Sequence, residues 1–258
     1  MSADVFVHDT RRRGTGTLVM AGALGGFAFF GLAMSGAVGD TFDALAEGMP
    51  KALTAFVGGD VPGGYVVGEL FTLVAPIALV VYAVMVGSSA LAGEERDGTM
   101  ALLAAQPVSR ARVLWAKAGS LALSLVAIGA AFWALMALGG SMFGSDLGAA
   151  KMAAGVTHLV FLALAMGSIA FAVGAASGRP EIAAAVSGVV ALTAYLTSTM
   201  LPLAGLDQWA ELSPWHYALS SDPLRNGVDV AHLGVLATIC VVAIAMAQLL
   251  FDRRDLRG

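Results

Sequence analysis

Charge is what this 258-residue chain has least of: Asp, Glu, Lys and Arg make up 12% of it, while 58% is hydrophobic. A soluble domain carries roughly a quarter of its residues charged, so the composition excludes an ordinary water-soluble globule. Cysteine is nearly absent. Cys240 stands alone, so neither a disulfide framework nor a thiolate metal site can be built. No lysine follows a glycine: Lys51, Lys117 and Lys151 are preceded by Pro50, Ala116 and Ala150. The Gly-Lys phosphate loop is therefore missing, and with it ATP hydrolysis by that mechanism. Signatures of intramembrane catalysis, such as Gly-x-Ser-Gly or His-Glu-x-x-His, are missing too, and no catalytic residue is nominated. The histidines (His8, His158, His216, His232) fall in separate segments. No metal site is read from them, although folding can still bring His216 and His232 together.

What the chain does have is long uncharged runs: Gly14 to Gly39, Leu70 to Gly93, Ala118 to Ser145, Met152 to Gly178, Ile182 to Leu206 and Leu233 to Phe251. Each reaches the roughly 17–20 residues that cross a bilayer core as a helix. Membrane strands alternate apolar and polar residues over about ten positions, whereas "LVAPIALVVYAVMV" is apolar throughout. A helix satisfies its own backbone inside lipid. The expectation is a single all-α integral membrane domain over 1–258 with six transmembrane helices. The first run exceeds the about 7–15 residues of a signal-peptide core, so it is read as a retained span.

Eleven of the 14 basic residues fall on one side of this topology, leaving Lys51, Lys151 and Arg225 on the other. The positive-inside rule then places both termini in the cytoplasm, for a multi-pass protein of the cell membrane. Pro76 is expected to kink the second span. Small residues four apart, such as Gly22 and Gly26 or Gly174 and Gly178, permit close helix packing. Trp209, Trp215 and Tyr217 in the long outer segment 204–231 suit an aromatic belt, or a small structured cap over the outer mouth. His158, in the fourth span, is read as a neutral imidazole bonded to a carbonyl, or else as a functional group.

Seven charged residues crowd into "EERDGTMALLAAQPVSRARVLWAK", Glu94 to Lys117, between the second and third spans. Asp97 or Thr99 can cap a short helix, which must stop before Pro107. Ser109 can cap the next one. A two-turn helix is not stable alone in water and must lie on something.

The order Glu95–Arg96–Asp97–Gly98–Thr99, Leu102–Leu103, Pro107–Val108–Ser109–Arg110 and Lys117 resembles type-2 permeases of ATP-binding-cassette transporters. "LSPWHYALSSDPLRNG" and the tail "FDRRDLRG" are similar to the corresponding segments of that family, and "VFVHDTRRRG" to its amphipathic leading helix. The resemblance implies a coupling helix between spans two and three that docks on a separate ATPase subunit. Its docking face would be Met100, Leu102, Leu103 and Gln106, flanked by the charged struts Glu94, Glu95, Arg110 and Arg112, with an ion pair conceivable between the two charged groups. It further implies a pathway lined by spans two and five, hence by Tyr82, Met85, Thr193, Tyr195 and Thr197. ATP and Mg would be bound by the partner ATPase and no cofactor by this chain. The other partners would be a second copy or a related six-span permease and membrane lipids, with no nucleic acid. The implied function is export of a small or amphiphilic substrate. The alternative is an ABC-type factor for maturation of an extracytoplasmic protein. A secondary transporter would need a carboxylate deep in a span, and none is present.

Overall fold

The computed structural model describes residues 2–48, 50, 64–99, 109–145 and 147–253, without the side chains of 2–5, 35–47 and 64–66. The helices are α1 (Ser2–Glu47), α2 (Gly64–Glu69), α3 (Ala75–Ser89), α4 (Ala92–Arg96), α5 (Arg110–Phe143), α6 (Ala149–Ser177), α7 (Pro180–Leu203), α8 (Asp207–Ala210), α9 (Pro214–Leu219), α10 (Pro223–Asn226) and α11 (Val230–Arg253). Six helical stretches are long and apolar enough to cross a membrane: Phe6–Met34, Val67–Ser89, Arg110–Phe143, Ala149–Ser177, Pro180–Leu203 and Val230–Arg253. Among the described residues there is no strand. Residues 100–108, which include Met100, Leu102, Leu103 and Gln106, lie outside the described residues, as does the tail from 254.

The basic arm and the first span form one helix of 46 residues. Arginine is a good helix former, and Arg13 pairs with Asp9 one turn back at 2.7 Å, so the charges do not interrupt the helix. α2 and α3 are joined through a π turn, Leu70–Val74, in which the Ala75 N–H reaches the Leu70 carbonyl. Pro76 supplies the cause. Its ring crowds the carbonyl four residues earlier and it donates no N–H, and the wider turn absorbs both effects. At the tight turn between α6 and α7, Gly178 takes φ 63°, and Pro180 then begins the next helix. Ser109 caps α5, accepting from the Arg112 N–H.

α6 is the centre of the bundle: 67% of its span is buried, against 17% for α7 and 22% for α11. α3 lies closest to it, through glycines. A Cβ on Gly87 would sit 2.3 Å from the Gly167 carbonyl oxygen, and one on Gly174 2.8 Å from that of Ser88. Gly22 and Gly26, by contrast, face open space. The main core joins Leu24 and Leu32 of α1, Leu79 of α3, Leu125 and Phe132 of α5, and Leu159 of α6.

Cross-contacts bring one set of helix ends together. Arg12 of α1 meets Glu94 at 3.2 Å, Arg96 meets Glu181 of α7 at 3.3 Å, and Arg110 donates to the Phe251 carbonyl of α11 at 3.3 Å. Both ends of the described chain therefore lie at this basic end. At the opposite end α8, α9 and α10 form a cap. Ser213 donates to the Ala194 carbonyl of α7 at 2.6 Å and accepts from the Trp215 N–H at 3.1 Å. Trp215 is consequently a core residue, 2% exposed, whereas Trp209 is 52% exposed; an aromatic belt describes only the second.

Candidate functional site

α4 and α5, which flank residues 100–108 in the chain, both contribute to one charged cluster. Lys117, on the second turn of α5, is buried; its Nζ lies 3.2 Å from Asp9 Oδ1 and 2.9 Å from Glu94 Oε1. Three elements, α1, α4 and α5, thus meet on one ammonium group. Arg13 takes the other Asp9 oxygen. Arg12 bridges Glu94 Oε1 and Asp97 Oδ2, the latter at 3.4 Å. Arg96 bridges Asp97, at 3.1 Å, and Glu181. Thr99 closes the turn, donating through its N–H to the Glu94 carbonyl at 2.9 Å and through its hydroxyl to Glu94 Oε2. A polar cavity of about 240 Å³ lies among these groups.

Burial alone would raise the Glu94 carboxyl. The bonds from Thr99 and Lys117 and the charges of Lys117 and Arg12 outweigh it and hold the group below its ordinary value. Asp97 is held low first by its hydrogen bond from Arg96. Glu94 takes Lys117 and Arg12 as partners, and Arg110 donates to the Phe251 carbonyl of α11. Glu95 is half-buried on α4 and Arg112 exposed on α5. In the sequence Lys117 belongs to the family-like motif, which assigns it no role. The available signal was a lone lysine at the mouth of an uncharged run, facing an arm whose sole acidic residue between Val5 and Gly14 is Asp9.

The residues expected along spans two and five divide. Tyr82 is buried, with its hydroxyl 2.9 Å from that of Thr17, so it faces α1. Met85 and Tyr195 come together on an apolar groove of about 370 Å³ between α3 and α7, floored by Gly188 and Ala191. Tyr195 also borders a second cavity of about 410 Å³ toward the cap. Thr193 is exposed and Thr197 half-buried, and neither lines these two cavities.

His158 is fully buried, and both of its nitrogens are engaged. Nε2 accepts the Asp229 N–H at 3.1 Å, so the ring proton sits on Nδ1 and is donated to the Tyr217 carbonyl at 3.2 Å. The ring ties two parts of the cap to α6. Folding does bring His216 and His232 together, with ring centroids 5.9 Å apart. Among the described residues, no three His, Cys, Asp or Glu side chains converge as metal ligands.

Six apolar helices around one buried core, with a charged cluster confined to one end, define a multi-pass membrane protein. A family model described as ABC-2 family transporter protein matches residues 17–256, and the chain belongs to that family. Its members are transmembrane components that typically work with an ATPase partner. No curated protein matches the chain.

Proposed function

We propose that this chain is the permease subunit of an ATP-driven exporter in the cell membrane, with its basic end and both termini in the cytoplasm. A separate ATPase subunit carries ATP and Mg. It docks on a short coupling helix within residues 100–106, through Met100, Leu102, Leu103 and Gln106, and a second copy or a related six-span permease completes the transporter. One observation carries the reading. Both feet of segment 100–108 are tied through Lys117, Glu94 and Arg12 to the first span, and through Arg96 to the fifth. A push on that segment is therefore delivered to two spans together. Each nucleotide state of the ATPase must engage the segment differently, because only differential binding shifts a conformational equilibrium.

The test is purification of the tagged chain from its native host in mild detergent. An ATP-binding subunit should accompany it in near-equal amount. Leu103→Asp should remove that subunit while leaving insertion intact. Retention of the ATPase by Leu103→Asp removes the docking face, and recovery of the wild-type chain alone removes the exporter reading.

A further inference from the structure

Two cavities share one wall. The groove between α3 and α7 is bordered by Ile77, Val81, Met85 and Leu192, all exposed, so it opens sideways where a lipid chain would lie. Tyr195 forms its inner end, packed edge-on against Trp215 with centroids 5.6 Å apart. On the other side of Tyr195 the lining is mixed, with polar groups set among Pro202, Leu203, Ala210 and Leu219. Thr72, Ser198, Thr199, Ser220, Asp207 and His216 border the second cavity, beneath the cap. Thr72 belongs to the π turn, where a widened helix commonly marks a functional position. Each cavity lies within the roughly 300–1,000 Å³ range of small-molecule sites.

We propose that these cavities form one binding site for a single-chain amphiphile with a cationic head. The alkyl chain lies in the groove toward Met85, and the head sits under the cap beside Asp207. The inference rests on spans two and five being the pathway and adds the substrate class. Charge decides the head. Among the described residues, Asp207 is the only carboxylate bordering the second cavity, and no lysine or arginine borders it. Burial first, then the neighbouring His232, hold His216 below its ordinary value, so at neutral pH that ring adds no compensating positive charge. An anionic head would meet Asp207 unpaired, whereas a cation gains a partner with surrounding hydroxyls to complete its shell. The apolar wall sets the chain, since each buried CH₂ contributes about 0.8 kcal/mol.

The test uses the full chain in phosphatidylcholine nanodiscs at pH 7.5 and reads tryptophan fluorescence. The probes are dodecyl chains brominated at the middle carbons, bearing a trimethylammonium, a hydroxyl or a carboxylate head. The trimethylammonium probe should quench saturably, and that component should vanish in Trp215→Phe. It should bind up to about fivefold tighter than the carboxylate probe, as for one ion pair to the exposed Asp207. Asp207→Asn should abolish that preference and leave the hydroxyl probe unchanged. Equal affinity for the two charged heads overturns the assigned head. Absence of a saturable Trp215 component overturns the site, as does cross-linking that finds a second copy filling the groove. ATPase co-purification is read separately. If the ATPase is retained while the probes fail, only the substrate class falls. If the probes bind while no ATPase accompanies the chain, the exporter reading falls.

Discussion

Lys117 has 4% of its side chain exposed and Asp9 7%, so neither charge has water to fall back on. An ammonium group in such a place is tolerable only when counter-charges and hydrogen bonds replace its hydration. Asp9 and Glu94 do so from two different helices. Lys117→Met keeps much of the volume but leaves those carboxylates facing each other, a loss of about 3–5 kcal/mol for one broken buried pair. Thermal unfolding in detergent measures it. Adding Glu94→Gln to Lys117→Met should recover part of the loss, and a double variant no better than the single one would show that charge is not the cause. The same cluster sets a pH window. Because the folded Glu94 pKa is lowered, its stabilisation is fully present above its ordinary value of 4.5 and disappears as pH falls through the lowered value. His216 is also lowered, mainly by burial, from 6.5. The folded cap therefore prefers the neutral ring, and that preference is lost as pH falls below 6.5. Acidification should loosen residues 204–229 first and residues 92–99 only at lower pH. Hydrogen exchange, corrected for its intrinsic pH dependence, reads both regions in one sample, and simultaneous loosening would contradict the assignment.

Between elements, the contact that fixes the bundle is α3 against α6. Gly87 and Gly167 let the two backbones touch, and a branched side chain at Gly87 would meet the carbonyl of Gly167, which is backbone and cannot rotate away. Gly87→Val should destabilise by about 1–3 kcal/mol or more through overpacking, whereas Gly22→Val, at a position where an added Cβ meets nothing within 4 Å, should leave stability nearly unchanged. Thermal unfolding of the two variants side by side gives the comparison, and equal losses would mean that the close approach is not what holds α3. This contact also shows what a sequence conceals. The bilayer demands long apolar helices, so all six spans are visible in the hydropathy alone. The partner of Gly87 is 80 positions away, and no local pattern names it; the four-residue glycine spacings pick out Gly174, which does pack on α3, but equally Gly22 and Gly26, which face open space. Glu94, Arg96 and Asp97 stood out because charge is scarce. That Glu94 would choose Lys117 and Arg12 depended on three helices converging, a tertiary fact. The π turn was half legible: Pro76 announced a disturbance but not its form.

At the scale of the whole molecule, burial is uneven in a way that one six-helix unit in water could not sustain. The faces of α1, α7 and α11 carry Leu18, Phe30, Val189, Leu192, Val241 and Val242 into the open. In a bilayer those faces meet lipid or another subunit at no hydrophobic cost, because lipid tails are as apolar as leucine. Charge is sorted along the other axis. Arg12, Arg13, Arg96, Lys117 and Arg253 sit at the end where the described residues both start and finish, and the cap closes the opposite end. With six spans an even number of crossings returns the chain to its starting side, and the basic bias supports the proposal that this side is cytoplasmic. Reporter fusions make this measurable without knowing the cargo. A reporter active only in the cytoplasm should work when fused after Gly258 and fail when inserted at Ser220 in the cap, while one active only outside should give the reverse. Activity of the same reporter at both positions would require an even number of crossings between them, one fewer or one more than α11 supplies, and would move the proposed ATPase-facing end away from the Lys117 cluster.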